Sequence, residues 1–444
     1  MPVSTKRNLR VAVLADSDTR WKWGALTAHR LAPELHLTGF LLRGRATPTA
    51  RQLGEVGVKA DRLSEVTSAE FLQEMRNEPY DVVVLALVGG AVQAMLHGLR
   101  RLWPAAAARP VLVTGYVGVV YEKLADGLLL RHGADLVLAN SRHDAERFRT
   151  VYEGVGADAA SVVETALPFL GGAPYEERPD GAETVVFAAQ PSVPESRADR
   201  GYLLRRAVQH ARLHSRREVL VKLRSKPGEH TTHLEELPYQ RLADRIQGGL
   251  PDNCRLVYGH MGDVLDRTDL LVTVSSTAAL ESLHRGIPTA VLTDLGVREA
   301  LGNHHFLGSG CLASWDQLDE GHRPQADPEW LARHGVAADG PCGDLYASAF
   351  DAARKRIAEL TEQPQLPSPA PYYTLATAPG YLPGILARHH LGPDGAPLPG
   401  AAPAASQASG VRRWVRSALR DAARGAYRHG VQRVAPVIRR MGEL

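Results

Sequence analysis

Three hydroxyl residues in succession, Ser275, Ser276 and Thr277, stand between a short apolar run and a helical stretch of small residues. A helix start offers four unpaired backbone amides, so hydroxyls placed there either hold an anion or simply cap the helix. Two polar turns upstream repeat the arrangement. VVFAAQPS places Gln190 and Ser192 just after an apolar run, with Arg197 and Arg200 opening the next helical pattern. VKLRSKPGEHTTH places Arg224 and Lys226, then His230 and His233, one unit later. Guanidinium, ammonium, amide and hydroxyl donors on one rim describe a monophosphate or diphosphate site, whereas scattered over a surface they are merely solvated. Near the start of the chain, ADSDTRWKWG carries Asp16 and Asp18 after the first apolar run, with Trp21 and Trp23 close behind; each Asp also suits a helix N-cap. TGYVGVVYEK sets Gly115, Tyr116, Gly118 and Glu122 after another such run. His304 and His305 in GNHHFLGSG lack companion Cys or carboxylate ligands at metal spacing, so no metal is expected there.

Strand ends are needed to position these residues, and the hydrophobic pattern supplies them. Apolar runs at 9–15, 37–42, 81–87, 110–114, 134–139 and 162–167 alternate with helical spacing. A second series of runs falls at 184–189, 219–223, 255–258, 270–274 and 289–293, with helices at 197–215, 239–246, 261–267 and 277–285. Near-continuous Val, Leu and Ala runs separated by helices imply parallel sheets covered on both faces. The expected fold class is therefore α/β, with two Rossmann-like doubly wound parallel-sheet domains facing a cleft at the carboxyl ends of their strands. The first domain is expected over 1–170, a Gly- and Pro-rich linker over 171–183, and the second domain with trailing helices over 184–362. No GxGxxG follows the first strand, which disfavours a dinucleotide there.

Composition narrows the function classes. A chain of 444 residues with 44% hydrophobic and 23% charged content is that of a soluble two-domain protein. A net charge of +3 makes no case for nucleic acid. Cys254, Cys311 and Cys342 are odd in number and form no CxxC, which argues for a reducing, cytoplasmic setting without a disulfide framework. The apolar run after the basic N-terminus is too short for a signal peptide. Residues 363–410 are rich in Pro, Ala and Gly and read as a linker, extended over 393–410. Residues 411–444 read as a basic amphipathic helix, with Arg412, Arg416, Arg420, Arg424 and Arg428 at four-residue spacing beside Trp414 and Tyr427. Through 411–440 that helix suits either an anionic membrane surface, placing the protein at the inner membrane face, or docking on a protein.

Two Rossmann-like halves, the AQPS and KLRSKP turns and VSSTAALESLHRGIPTAV together resemble the GT-B-fold glycosyltransferases. The likeness is greatest to bacterial capsule and cell-surface enzymes with cytidine-activated donors: polysialyltransferases, Kdo transferases and glycerophosphotransferases. In these a Lys-x-His-Pro turn and a Ser-Ser or Ser-Thr helix start hold the nucleotide phosphate. Here Arg224-Ser225 stands in place of His-Pro, a guanidinium that binds phosphate but donates no proton at neutral pH. The resemblance implies a nucleotide-sugar donor, CMP-activated sugars among the candidates, held by Gln190, Ser192, Arg224, Lys226, Ser275, Ser276 and Thr277, with His304 and His305 at the donor sugar. It implies a glycan or lipid-linked acceptor in the first domain near Trp21, Trp23, Tyr116 and Glu122. Asp16 or Asp18 would be the catalytic base, with Glu122 a rival. No cofactor, bound metal or nucleic-acid partner is implied. A nucleotide-sugar 2-epimerase shares this fold and similar phosphate contacts, and a non-catalytic nucleotide-sugar-binding protein is the third reading.

Overall fold

A computed structural model describes residues 8–44, 46–119, 123–178, 183–226, 229, 237–336 and 344–399. The chain through Phe169, joined by residues 333–399, makes one compact unit, and Leu170–Ala332 makes the other. Each is built on a wholly parallel sheet.

The first unit runs β1 (Leu9–Ala15), α1 (Asp18–Leu31), β2 (Leu35–Leu42), α2 (Ala50–Val56), β3 (Arg62–Val66), α3 (Ser68–Asn77), β4 (Val82–Ala86), α4 (Gly89–Leu102), β5 (Val111–Gly115), α5 (Leu124–Leu129), β6 (Leu136–Ala139), α6 (Arg142–Gly154) and β7 (Val162–Glu164). Its strand order is β3-β2-β1-β4-β5-β6-β7, so the winding reverses between β1 and β4. Beyond the carboxyl ends at such a reversal a doubly wound sheet leaves room for a ligand. The central strand β4, VVVLA, is buried at every position, as helices on both faces require. The edge strand β3 escapes the hydrophobic pattern because only Val66 of RLSEV is buried and the strand has no apolar run.

The second unit runs β8 (Glu183–Ala188), α7 (Arg197–Leu213), β9 (Arg217–Lys222), α8 (Tyr239–Ala243), β10 (Cys254–Val257), α9 (Met261–Leu265), β11 (Leu270–Thr273), α10 (Ala278–His284), β12 (Thr289–Leu292), β13 (Leu312–Ala313), α11 (Trp315–Asp319) and α12 (Pro328–Arg333). Its order, β10-β9-β8-β11-β12-β13, reverses between β8 and β11. Phe187 and Trp315 meet edge to face at the centre of this core.

After α12 come α13 (Asp344–Ser348), α14 (Asp351–Thr361) and α15 (Leu382–Arg388), and here the structure corrects the expected boundaries. The sequence pattern ends the second domain at 362 and leaves open whether the helix over 344–361 crosses back to pack on the first. It does: Ala353, Ile357 and Leu360 of α14 are buried with Val84, Val113 and Leu136 of the first unit, and Arg354 donates to the Arg30 carbonyl at 2.9 Å. Residues 363–399 are likewise no free linker. Leu366 bridges to Ala107, and Leu382, Ile385, Leu386 and Leu391 are buried in the core that holds Leu96 and Leu99. These aliphatics are too sparse among Pro, Gly and Ala to register as a periodic pattern. The basic helix expected over 411–444 lies outside the described residues. Among the described residues no helix is long and apolar enough to cross a membrane.

Candidate functional site

In the second unit the adjacent strands β9, β8 and β11 end level, with Lys222, Ala188 and Thr273 in one row across the sheet. The three polar turns follow directly from these ends. Gln190, Ser192, Arg224, Lys226, Ser275, Ser276 and Thr277 therefore share one carboxyl rim, astride the reversal between β8 and β11.

Hydrogen bonding divides this set. Gln190 Oε1 accepts the Ser275 amide at 2.9 Å, and Gln190 Nε2 donates to Ser275 Oγ at 3.3 Å. Ser275 Oγ in turn donates to the Leu301 carbonyl at 2.6 Å. The groups of Gln190 and Ser275 expected to meet phosphate are thus spent on holding the two turns together. Thr273 Oγ1 donates to the Ala188 carbonyl at 2.9 Å and accepts the Ser276 amide at 3.2 Å. Ser276 Oγ accepts the Ala278 amide at 3.2 Å, so its hydroxyl caps α10. Thr277 precedes α10 with no side-chain cap bond, leaving its amide and hydroxyl unused among the described residues. Ser192 and Arg224 are half-buried and Lys226 is exposed. The Lys226 amide is held by Glu229 at 2.9 Å, and its ammonium lies 5.8 Å from the Tyr258 ring centre.

The two arginines of the AQPS turn part company. Arg197 is exposed, while Arg200 is only 2% exposed and turned inward. Its guanidinium donates to the carbonyls of Gln190 at 3.0 Å, Pro191 at 2.9 Å and Leu237 at 2.9 Å, and lies 4.3 Å from the Tyr239 ring centre. A planar five-donor fork suits clipping several carbonyls at once, so Arg200 shapes the turn instead of binding an anion. His230 and His233 lie outside the described residues.

His304 and His305 occupy a 3₁₀ turn, Asn303–Phe306. Asn303, which the sequence gives no reason to single out, is fully buried and organises the loop after β12. It donates to the carbonyls of Leu292 at 3.0 Å and Gly296 at 2.8 Å and accepts the Arg298 amide at 3.0 Å. His305 packs edge-on against Phe306 and Trp330, with ring centres 5.2 and 5.8 Å away. The buried Nδ1 of His304 has no hydrogen-bond partner among the described residues. Ser275, through its bond to Leu301, ties this loop to the rim.

At the carboxyl end of the first sheet Asp16 accepts from Arg20 at 2.8 Å and from the Val88 amide at 3.0 Å, so it bridges the reversal between β1 and β4. Ser17 is the N-cap of α1 and Asp18 its first residue. Trp21 and Trp23 are not an acceptor platform. Both are at most 1% exposed in the sheet core. A Cβ on Gly39 would stand 2.6 Å from Trp21, and one on Gly115 2.8 Å from Trp23, so each ring fills the space beside a glycine. Tyr116 is half-buried beneath Arg131, whose guanidinium is 4.0 Å from the ring centre. Burial pushes the Tyr116 hydroxyl pKa upward, so it stays protonated at neutral pH. Asn140 donates to the carbonyls of Tyr116 at 2.8 Å and Gly118 at 3.0 Å, fixing that turn. Glu122 lies outside the described residues.

One described cluster, His210, His214 and Asp319, has metal-like spacing. Its chemistry is already complete without an ion. His210 Nδ1 meets Asp319 at 2.6 Å, its Nε2 meets Arg217 at 3.3 Å, and Arg206 takes the other Asp319 oxygen at 2.9 Å. Two guanidinium groups occupy the places a cation would need.

None of the curated proteins matches this chain. Among solved structures, UDP-N-acetylglucosamine 2-epimerase from Rickettsia bellii is similar at 12% identity and a TM-score of 0.51, over 80% of this chain and 97% of that one. The S. aureus MnaA–UDP co-structure is similar at 15% identity and a TM-score of 0.50, again over 80% and 97%. At such identity the likeness speaks for the fold, two Rossmann-like parallel-sheet domains of the GT-B-like class. A family model matches residues 11–358, and the chain therefore belongs to the family described as "Putative glycosyltransferase (DUF6716)".

Proposed function

We propose that this chain takes a sugar from a nucleotide-activated donor bound by its second unit and passes it to an acceptor hydroxyl held by its first. The observation that carries the reading is the shared rim after β9, β8 and β11, where hydroxyl, amide, ammonium and guanidinium donors follow three level strand ends. In this reading Ser192, Arg224, Lys226, Ser276 and Thr277 stabilise the leaving phosphate, supplying charge that a divalent metal would otherwise bring. Gln190 and Ser275 hold the turns in place, His304 meets the donor sugar, and Asp16, Asp18 and Tyr116 line the acceptor side. The UDP in the S. aureus structure makes UDP the first donor nucleotide to test, ahead of CMP. Cell-surface glycans or lipid-linked sugars are the proposed acceptors, with residues 411–440 as the membrane contact. A thermal-shift series with CMP, CDP, UDP, GDP and dTDP tests the reading, since the cognate nucleotide raises the midpoint by mass action. No shift with any of the five refutes it.

The Rickettsia bellii neighbour favours a second reading, a nucleotide-sugar 2-epimerase. Incubation with UDP-N-acetylglucosamine separates the two. Inversion at the sugar C2 followed by proton NMR supports the epimerase, and net transfer of the sugar away from UDP supports the transferase.

A further inference from the structure

The segment after residue 358, where the family match ends, packs along the first unit. From the Leu366 bridge at Ala107 it passes Gly133, where a Cβ would meet the Ala370 backbone at 2.7 Å. The Tyr373 carbonyl is held by Gln93 at 3.1 Å and His97 at 2.9 Å. The hydroxyls of Tyr373 and Tyr381 both donate to Asp126, at 2.8 and 3.0 Å. Helix α15 then lays Leu382, Ile385 and Leu386 into the core beside Ala91 and Met95 of α4. A Cβ on Gly90 would touch Ile385 at 3.8 Å, so α15 covers the first turn of α4. That turn begins at Val88, whose amide is the one bound by Asp16. His389, one helical turn beyond Ile385, ends α15. It is half-buried, and its ring makes no hydrogen bond among the described residues.

The charges around this imidazole are few. Burial lowers its pKa, Arg388 and His390 lower it further, and the Asp16 carboxylate opposes them. The ring is therefore neutral at neutral pH and able to take a proton, with a carboxylate near enough to favour the imidazolium once formed. The Asp16 oxygens are already engaged, one by Arg20 and the other by the Val88 amide.

We infer that His389, carried to the first unit's carboxyl rim by the segment 363–399, is the base of the transfer. This rests on the transferase reading. A His389 ring nitrogen takes the proton of the acceptor hydroxyl as that oxygen bonds to the anomeric carbon. The nucleotide phosphate departs with the electron pair of the broken bond.

The test uses the full chain and the UDP-, GDP-, dTDP- and CMP-sugars, with water standing in for the acceptor and nucleotide release as the signal. The expected rate has an acid limb with an apparent pKa below 6.5. His389→Gln and His389→Asn should cut the rate by about 10²- to 10⁴-fold and remove that limb, while the nucleotide thermal shift persists. Asp16→Asn should move the limb to lower pH, because it removes the charge that favours the imidazolium. A His389→Gln chain within about threefold of the wild-type rate, or with the same acid limb, overturns the assignment and leaves the transferase reading intact. A wild-type chain that neither binds nor releases any of these nucleotides overturns both.

Discussion

Gln190 and Ser275 are bonded to each other twice across the strand reversal of the second sheet, amide to carbonyl oxygen at 2.9 Å and amide nitrogen to hydroxyl at 3.3 Å. The first sheet has a counterpart in the bond from Val88 to Asp16 across its own reversal. In both units a side chain from one strand end fixes the backbone of the neighbouring turn, which keeps two loops in register where a ligand would lie. Gln190→Leu leaves the amide of Ser275, a residue only 7% exposed, without its partner. It should cost about 1–3 kcal/mol in urea unfolding and weaken nucleotide binding as well. Thr277→Val removes a hydroxyl that makes no cap bond to α10 and has no partner among the described residues. Its unfolding midpoint should stay within about 0.5 kcal/mol of wild type while nucleotide affinity falls. An unchanged midpoint for Gln190→Leu would show that the paired turns do not depend on each other.

Arg200 permits a sharper comparison, because its charge and its geometry can be changed separately. Arg200→Lys keeps the charge but loses the planar fork that reaches four carbonyls and lies over Tyr239. It should destabilise the second unit by about 2 kcal/mol, and Arg200→Met by more, since every carbonyl then loses its donor. Equal stability of wild type and Arg200→Lys in denaturant titration would mean that the charge alone matters and the turn is held by other bonds.

The sheets could be read from the sequence because buried parallel strands such as VVVLA and LLVT are continuous apolar runs. Strand β3 was not legible, for RLSEV lies at an edge and buries only Val66. The location of the rim was legible too, since polar turns after apolar runs must sit at strand ends. What each rim residue does was not. Spacing cannot distinguish Thr277, whose donors are unused, from Ser275, whose donors are spent on Gln190 and Leu301, because that depends on contacts 85 and 26 residues away. Trp21 and Trp23 misled for a related reason. Their rings turn inward only because Gly39 and Gly115, distant in sequence, leave room for them.

The tryptophan packing predicts where added volume is harmful. Gly39→Ala places a methyl 2.6 Å from the buried Trp21 ring and 2.5 Å from Leu63 Cδ1. Leu63 is 40% exposed and can swing away, but Trp21 cannot. The substitution should lower stability by about 1–3 kcal/mol in thermal or urea unfolding. The folded variant should keep the wild-type KM for any acceptor, because the ring touches none. A raised KM with unchanged stability would restore Trp21 to the acceptor site.

His210 should make the protein acid-sensitive. Burial against Trp315 and His214 lowers its pKa from 6.5 to about 4, outweighing the Asp319 carboxylate that pulls it upward; the nearby Arg217 adds to the depression. Above pH 6.5 the ring is neutral whether the chain is folded or not. Between 6.5 and about 4 the unfolded chain binds a proton that the folded chain refuses, so stability rises with pH across that window and is lost as pH falls through it. The full contribution is on the order of 3 kcal/mol. Replacing the ring by His210→Phe removes this titration while Arg206 still holds Asp319. The variant should therefore show a flatter dependence of urea midpoint on pH between 4 and 6.5, whatever its stability at pH 7. If the slopes of the two proteins coincide, another buried group governs the acid limb.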